Sequence, residues 1–418
     1  MQAQTYLERR GWNQDEAVLD ILRRQWRERR FDSLAFGIAL CAVPVSIAIT
    51  EILLGIALLH RLWRIVSGDA RVHVPRVFWC WSVWAALEIA IWLASPDLRA
   101  GSGEIRHLLL IGALFVLLPA AGSAPFRLAI WRGILLTGTI GSAALIVDFA
   151  RRLIVYRNQI AAAADASFYL RTGGLLHHWM VYAAVEVVVF AALLEFLHTF
   201  PEEYRWLLPA LLIHTLAILL SLTRMLWLCC LLMLVVHLVR ERSRWIWAIP
   251  LAPLLLAPLV PAAVRDRVTT VVRPDYYSNA ERLQMLRVGG KMVLEHPFRG
   301  VGPGRVQALY PRYLSESDAL PAYHGHLHNN AIQLAAEFGL PVLGMAIVVV
   351  IVLTRDLLTS LQQACDRGSR LLARTALVGF AGFLCLGLTD YTYGHSLGLI
   401  LCGFAVLSTL PVSGESAH

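Results

Sequence analysis

The richest run of reactive side chains is Tyr323-His324-Gly325-His326-Leu327-His328-Asn329-Asn330, which stands directly before an apolar stretch from Ala331 to Leu353. Three imidazoles within five residues, at the mouth of what reads as a membrane helix, cost solvation unless they act on something. Polar groups at membrane depth are functional candidates by default. A neutral imidazole is the usual general base for deprotonating a hydroxyl. His326 and His328 are two apart, so an extended segment would turn both to one side. They lack the i, i+4 spacing of helical metal ligands and no acidic residue follows in a zincin-like pattern, so a metal site is not expected.

Arginines form the second candidate set. Arg224 closes the very short connection Ser221-Leu222-Thr223-Arg224 between two apolar runs, and Arg171 opens Arg171-Thr172-Gly173-Gly174 ahead of His177-His178. Arg265, Arg267, Arg273, Arg282 and Arg287 crowd one long polar segment that continues into Glu295-His296-Pro297 and Gly300-Val301-Gly302-Pro303-Gly304. Guanidinium forks bind phosphate bidentately, so the set suits an anionic, membrane-borne ligand such as a diphosphate. The competing role is contact with lipid headgroups or pairing with Asp266, Asp275 and Glu281. Arg224 is the member whose idle charge between helices would cost most. The glycine segment lacks a following Lys-Ser/Thr and reads as a compact turn rather than a phosphate loop. Glu337 is expected either to anchor an arginine or to react. Asp390 is expected to cap a helix within a further outer turn that holds Tyr391, Tyr393 and His395.

The elements that must position these groups are membrane helices. Of 418 residues, 57% are hydrophobic and only 16% charged, with mean hydropathy +0.60. About 25% charged is usual in a soluble domain. The formal charge of +8 is carried by arginines set largely in short loops, a topological signal rather than a nucleic-acid one. No apolar core with a small-residue cleavage site occurs in the first thirty residues. Residues 1–32 instead read as a basic amphipathic segment on the inner membrane surface, with Trp12, Val18, Ile21, Leu22 and Trp26 near helical spacing. The seven cysteines show no disulfide framework and no metal-ligand spacing with histidine.

Apolar runs long enough to span fall near 33–48, 50–66, 77–95, 105–122, 128–148, 179–197, 206–221, 225–240, 245–262, 331–354, 371–388 and 393–410. Pro44 and Glu51 favour a break between the first two. With that break, the arginine-rich short loops and the basic N-terminus share one side, the cytoplasmic one. The expected fold is therefore all-α: a polytopic integral membrane helix bundle of about twelve transmembrane helices. Residues 33–262 carry spans one to nine with an outer loop near 149–178. Residues 263–330 form a large loop capping the outer face, and 331–418 carry the last three spans and a short tail.

The motifs resemble the O-antigen ligase family of bacterial inner-membrane glycosyltransferases, which shares a signature with O-antigen polymerases. His328-Asn329, nine residues, then Gly339-Leu340-Pro341-Val342 match the family's His-Asn/Gly spacing. Upstream, Arg282, His296-Pro297 and Gly300-Val301-Gly302-Pro303-Gly304 match in order, as does Thr223-Arg224; Arg171-Thr172-Gly173 matches loosely. The resemblance implies transfer of a polysaccharide from undecaprenyl diphosphate to a sugar hydroxyl of lipid A–core on the periplasmic face of the inner membrane, with no nucleotide, metal or other cofactor. In that scheme Arg224 and Arg282 hold the diphosphate and His328 takes the acceptor proton, the reaction inverting the anomeric centre. His326 and Asn329 orient the base or the acceptor, with Arg265, Arg171 and Tyr323 as further substrate contacts. The implied partners are the undecaprenyl-diphosphate glycan, lipid A–core and membrane lipids, and no nucleic acid. The alternative readings are an O-antigen polymerase, with the same donor but a growing glycan as acceptor, and a protein O-oligosaccharyltransferase. An organic-anion transporter is the reading from another class, against which Glu88, Glu186, Glu195 and His214 are too scattered to form one midplane site.

Overall fold

The computed structural model describes residues 20, 23, 26–28, 30–72, 74–160, 169–248, 262–269, 276–315 and 325–410. Among them every regular element is helical. Trp12, Val18, Ile21 and Leu22 of the expected amphipathic segment lie outside these residues, as do Tyr323 and most of the span expected over 245–262.

The helices are α1 (Phe31–Ala42), α2 (Ile47–Val66), α3 (Val77–Leu93), α4 (Leu98–Leu117), α5 (Ala124–Val155), α6 (Trp179–Thr199), α7 (Tyr204–Leu220) and α8 (Arg224–Arg240). They continue with α9 (Ala262–Thr269), α10 (Tyr277–Glu295), α11 (Val306–Leu309), α12 (Asn330–Phe338), α13 (Leu340–Gln363), α14 (Arg367–Leu386) and α15 (Ser396–Leu407). The break expected between the first two runs is present: α1 ends at Ala42, and Ser46 caps α2 by accepting from Ile49 N–H at 3.3 Å. Among the described residues, six segments are long and apolar enough to cross a membrane: Leu98–Ala121, Ala124–Asn158, Trp179–Thr199, Pro201–Leu220, Leu340–Gln363 and Arg367–Leu386. Helices α1, α3 and α15 are apolar but shorter. Twelve residues of helix rise about 18 Å, well under a hydrocarbon core of about 30 Å, so α1 alone does not reach across.

Helix α6 is buried on all sides from Tyr182 to Phe196, with α14, α15, α7 and α8 packed around it. A helix apolar all round belongs in the centre of such a bundle. Four acidic residues inside the bundle are each paired, in separate places, since a buried charge without a partner is costly. Glu88 meets His107 at 2.9 Å, Glu186 meets His214 at 2.6 Å, Glu195 meets Arg240 at 2.8 Å, and Asp32 meets Arg64 at 3.0 Å.

One expected span divides. The run beginning at Ala331 is cut at Gly339, whose φ of +85° ends the short helix α12 and starts α13 in a new direction. A Cβ there would stand 2.5 Å from the Phe298 carbonyl carbon, because the 296–302 turn lies against the junction. That turn is tied on by hydrogen bonds from Leu340 N–H to Pro297 O (2.7 Å), Val301 N–H to Ala336 O (2.7 Å) and Gly302 N–H to Glu337 O (3.1 Å). Gly300, Gly302 and Gly304 all have positive φ, and a Cβ on Gly304 would come within 2.2 Å of Ala100 O. The glycine segment is thus a turn packed on the starts of α4 and α13. Among the described residues Glu337 anchors no arginine; its Oε1 accepts from Gly304 N–H at 3.0 Å.

Helix α10 and this turn enclose a second small core of Met285, Val288, Met292, Val301, Val306, Tyr310, Leu327 and Ala336. Residues 276–315 therefore have their own apolar interior, built directly on α12. The His326–Asn329 segment runs through it, with Leu327 only 1% exposed.

Candidate active site

The histidine segment is clamped before any histidine is considered. Asn329 caps α12, its Oδ1 accepting from Ile332 N–H at 2.9 Å while its Nδ2 donates to Leu388 O at 2.8 Å. Asn330 N–H donates to Gly387 O at 2.8 Å, and its Nδ2 donates to Thr392 Oγ1 at 2.8 Å. Leu327 N–H donates to Gln333 Oε1 at 2.7 Å. Two consecutive asparagines thus fasten the start of α12 to the turn that follows α14.

His328 sits at the kink these bonds impose, with φ of +48°. A left-handed conformation in a residue other than glycine costs on the order of 1–3 kcal/mol and persists only where its surroundings over-determine it. The kink also undoes the extended geometry expected from sequence, so the two rings do not share a side. They stand edge to face at 6.4 Å, His326 against the Tyr391 ring at 5.2 Å and His328 against Asp390.

Asp390 caps no helix. Its Oδ1 accepts from Tyr391 N–H at 2.8 Å and meets His328 Nδ1 at 3.3 Å, while Oδ2 lies 3.6 Å from His395 Nε2. The side chain is 6% exposed. Burial alone would raise its pKa, but the hydrogen bond from His328 and the nearby His395 ring draw it well below the ordinary carboxylate range. That pull has full strength only while the imidazoles carry protons. A carboxylate on Nδ1 fixes the ring and leaves Nε2 of His328 to accept a proton, the arrangement of a general base with its orienting acid.

Asp390 also forms one wall of a cleft whose other walls carry Arg171, Arg224, Arg267 and Arg282. Arg224, the first residue of α8, donates to Asn279 Oδ1 at 2.6 Å and lies over the Tyr276 ring at 5.7 Å. Arg267 is 2% exposed, donating to Tyr276 Oη at 3.0 Å and Leu222 O at 3.4 Å. Arg282 has no hydrogen-bond or ion-pair partner among the described residues. Burial, then the like charge of Arg224, lower its proton affinity, partly offset by Asp390. Arg171 lies 5.4 Å from the Trp179 ring centre, with Nε buried and unpartnered. Its backbone is held because Arg152 donates to the carbonyls of Tyr169 and Arg171. Clustered guanidinium groups repel one another unless an anion joins them, so the four arginines form a wall that attracts anions.

Of the residues expected at a site, the structure brings His326, His328, Asn329, Arg171, Arg224 and Arg282 together. Arg265 lies exposed on α9, two positions from the arginine that faces the cleft. Tyr323 is outside the described residues. Sequence reasoning gave Asp390 a minor part and did not single out Arg267. The available signal for Asp390 was an acid in an otherwise apolar connection, Leu388-Thr389-Asp390-Tyr391, with a histidine five residues on.

Residues 209–348 match the family model described as O-antigen ligase. The matched segment includes Thr223-Arg224, Arg267, Arg282, His326–Asn329 and Gly339; Arg171 and Asp390 lie outside it. No curated protein matches the chain.

Proposed function

We propose that this chain, whose residues 209–348 match the family model described as O-antigen ligase, transfers a polysaccharide from undecaprenyl diphosphate to a sugar hydroxyl of lipid A–core, at the outer face of the bacterial inner membrane. The observation that carries the reading is the contact of His328 with Asp390 at the edge of a cleft bearing four arginines. Arg171, Arg224, Arg267 and Arg282 bind the diphosphate and neutralise the charge that grows on it as the glycosidic bond breaks. His328 Nε2 takes the proton of the acceptor hydroxyl while that oxygen attacks the anomeric carbon from the side opposite the leaving group. The carbon–oxygen bond to the diphosphate breaks, undecaprenyl diphosphate leaves, and the anomeric centre is inverted. The glycosyl–diphosphate bond supplies the driving force, so neither a nucleotide nor a metal is required. Asp390 acts through His328 as a positioning residue, and Asn329 fixes the backbone on which the base stands. The twelve-span topology and a cap facing the periplasm belong to the same reading; support comes from the arginine-rich short loops and from the outward cluster of polar residues.

The test is a transfer reaction with purified protein, lipid A–core and an undecaprenyl-diphosphate glycan in the presence of EDTA and without nucleotide. Wild type is expected to form product and His328→Ala to form none, with His326→Ala retaining part of the activity. Elongation of the donor glycan without transfer to lipid A–core would favour a polymerase. Absence of both products from folded protein would end the assignment.

A further inference from the structure

The 390–391 segment separates two cavities. Asp390 faces the arginine cleft, whereas the next residue, Tyr391, faces a second cavity of about 250 Å³ lined also by Glu104 and Arg106 from α4, His326, Tyr393 and Ser396. The histidine segment is divided in the same way, His328 meeting Asp390 and His326 meeting Tyr391. The second cavity therefore adjoins the candidate base from the side away from the arginines, one ring separation of 6.4 Å from His328.

Its chemistry differs from that of the cleft. Tyr391 donates its hydroxyl to Glu104 Oε2 at 2.9 Å, which leaves a carboxylate and a guanidinium at the wall. The back is rigid: Trp84 and His107 both bond Glu88, at 2.6 and 2.9 Å, and flank the Tyr393 ring at 5.3 and 4.0 Å. His326 Nδ1 and the Tyr393 hydroxyl are buried without a partner among the described residues. Both atoms are closed off from the cavity, so the polar groups that a ligand meets at its wall are those of Glu104 and Arg106 beside the aromatic rings. A diphosphate would be repelled by Glu104 and has the arginines on the other side. Mixed donors and acceptors beside aromatic faces suit a neutral ring that carries hydroxyls.

We infer that this cavity receives the acceptor sugar, so that donor diphosphate and acceptor hydroxyl approach His328 from opposite sides of the 390–391 partition. The inference rests on the ligase reading and adds where the acceptor sits and which residues select it. Glu104 accepts from the sugar's hydroxyls, Arg106 donates to them, and His326 orients the ring next to the base.

Gly103 offers a clean obstruction. It lines the cavity, and a Cβ added there meets nothing within 4 Å, so Gly103→Phe adds bulk at the wall from a backbone position with room for a side chain. The experiment measures transfer from the undecaprenyl-diphosphate glycan to O-antigen-free lipid A–core, varying each substrate in turn, and retention of the donor alone on immobilised protein. Gly103→Phe and, independently, Glu104→Gln are expected to raise the acceptor KM by about tenfold or more, with donor KM and donor retention unchanged. A wild type that transfers while both variants keep its acceptor KM overturns the acceptor pocket and leaves the ligase reading standing. Variants that weaken donor retention instead also overturn it. A wild type that binds donor yet never modifies lipid A–core removes the ligase reading and this inference with it.

Discussion

Replacing Asp390 with asparagine keeps size and hydrogen-bonding capacity but removes the charge facing His328. The carboxylate oxygen lies 3.3 Å from Nδ1, with the two side chains 6% and 16% exposed. At that separation an imidazolium formed during proton transfer gains roughly 1–5 kcal/mol from the carboxylate, for effective dielectric constants from bulk water down to about 20. The distance is long for a charge-assisted bond, typically about 2.7–2.9 Å, which argues against the top of that range. A kcat loss of about ten- to a thousandfold is expected, within the roughly 10²–10⁴ that general-base catalysis supplies. The donor KM should stay level or fall, because a negative charge has left the wall of the arginine cleft. Asp390→Glu should recover part of the rate. Steady-state transfer kinetics from pH 5 to 9, with melting curves to confirm folding, read all of these. A folded Asp390→Asn protein within about threefold of wild-type kcat would refute the positioning of His328 by Asp390.

Further expectations follow from the same geometry. Arg282→Gln should raise the donor KM about ten- to a hundredfold, the equivalent of one charge-assisted contact of roughly 1.5–3 kcal/mol, measured by donor titration. Arg282→Lys should recover only part of this, having charge without the planar fork. Gly339→Ala should lower the melting temperature and perturb the Pro297–Leu340 contact, because φ is +85° and the Phe298 carbonyl carbon occupies the space; an unchanged melt would contradict that packing. Stability should fall on acidification in two stages. Burial lowers the proton affinity of His326, so its contribution is present above the ordinary histidine value of about 6.5 and is lost as pH falls below it. The depressed pKa of Asp390 likewise gives stability above the unfolded carboxylate value of about 4, lost as pH falls further. Melting curves against pH for wild type, His326→Gln and Asp390→Asn should show the corresponding stage flattened in each variant.

Much of this protein could be read without coordinates because two of its constraints are local. The apolar runs and the arginines in short loops fix helical membrane architecture, since an unsatisfied backbone in lipid is too costly for anything else. The break at Pro44 and the turn at Gly300–Gly304 follow from the backbone limits of proline and glycine at those positions. The candidate groups His328, Arg224 and Arg282 stand out because they fall in polar segments at the ends of apolar runs. Tertiary structure decided what depends on distant segments meeting. Asp390 stands 62 residues from His328 and reaches it only because Asn329 and Asn330 bond the turn after α14. Helical phase set Arg267 in the cleft while Arg265 on the same short helix stayed exposed. The division of the apolar run at Gly339 needed the 296–302 turn to lie across it. Glu104, far earlier in the chain, meets Tyr391 through helix packing alone. Side-chain type and spacing announce which groups can act; which of them share a wall is settled by contacts that no local pattern encodes.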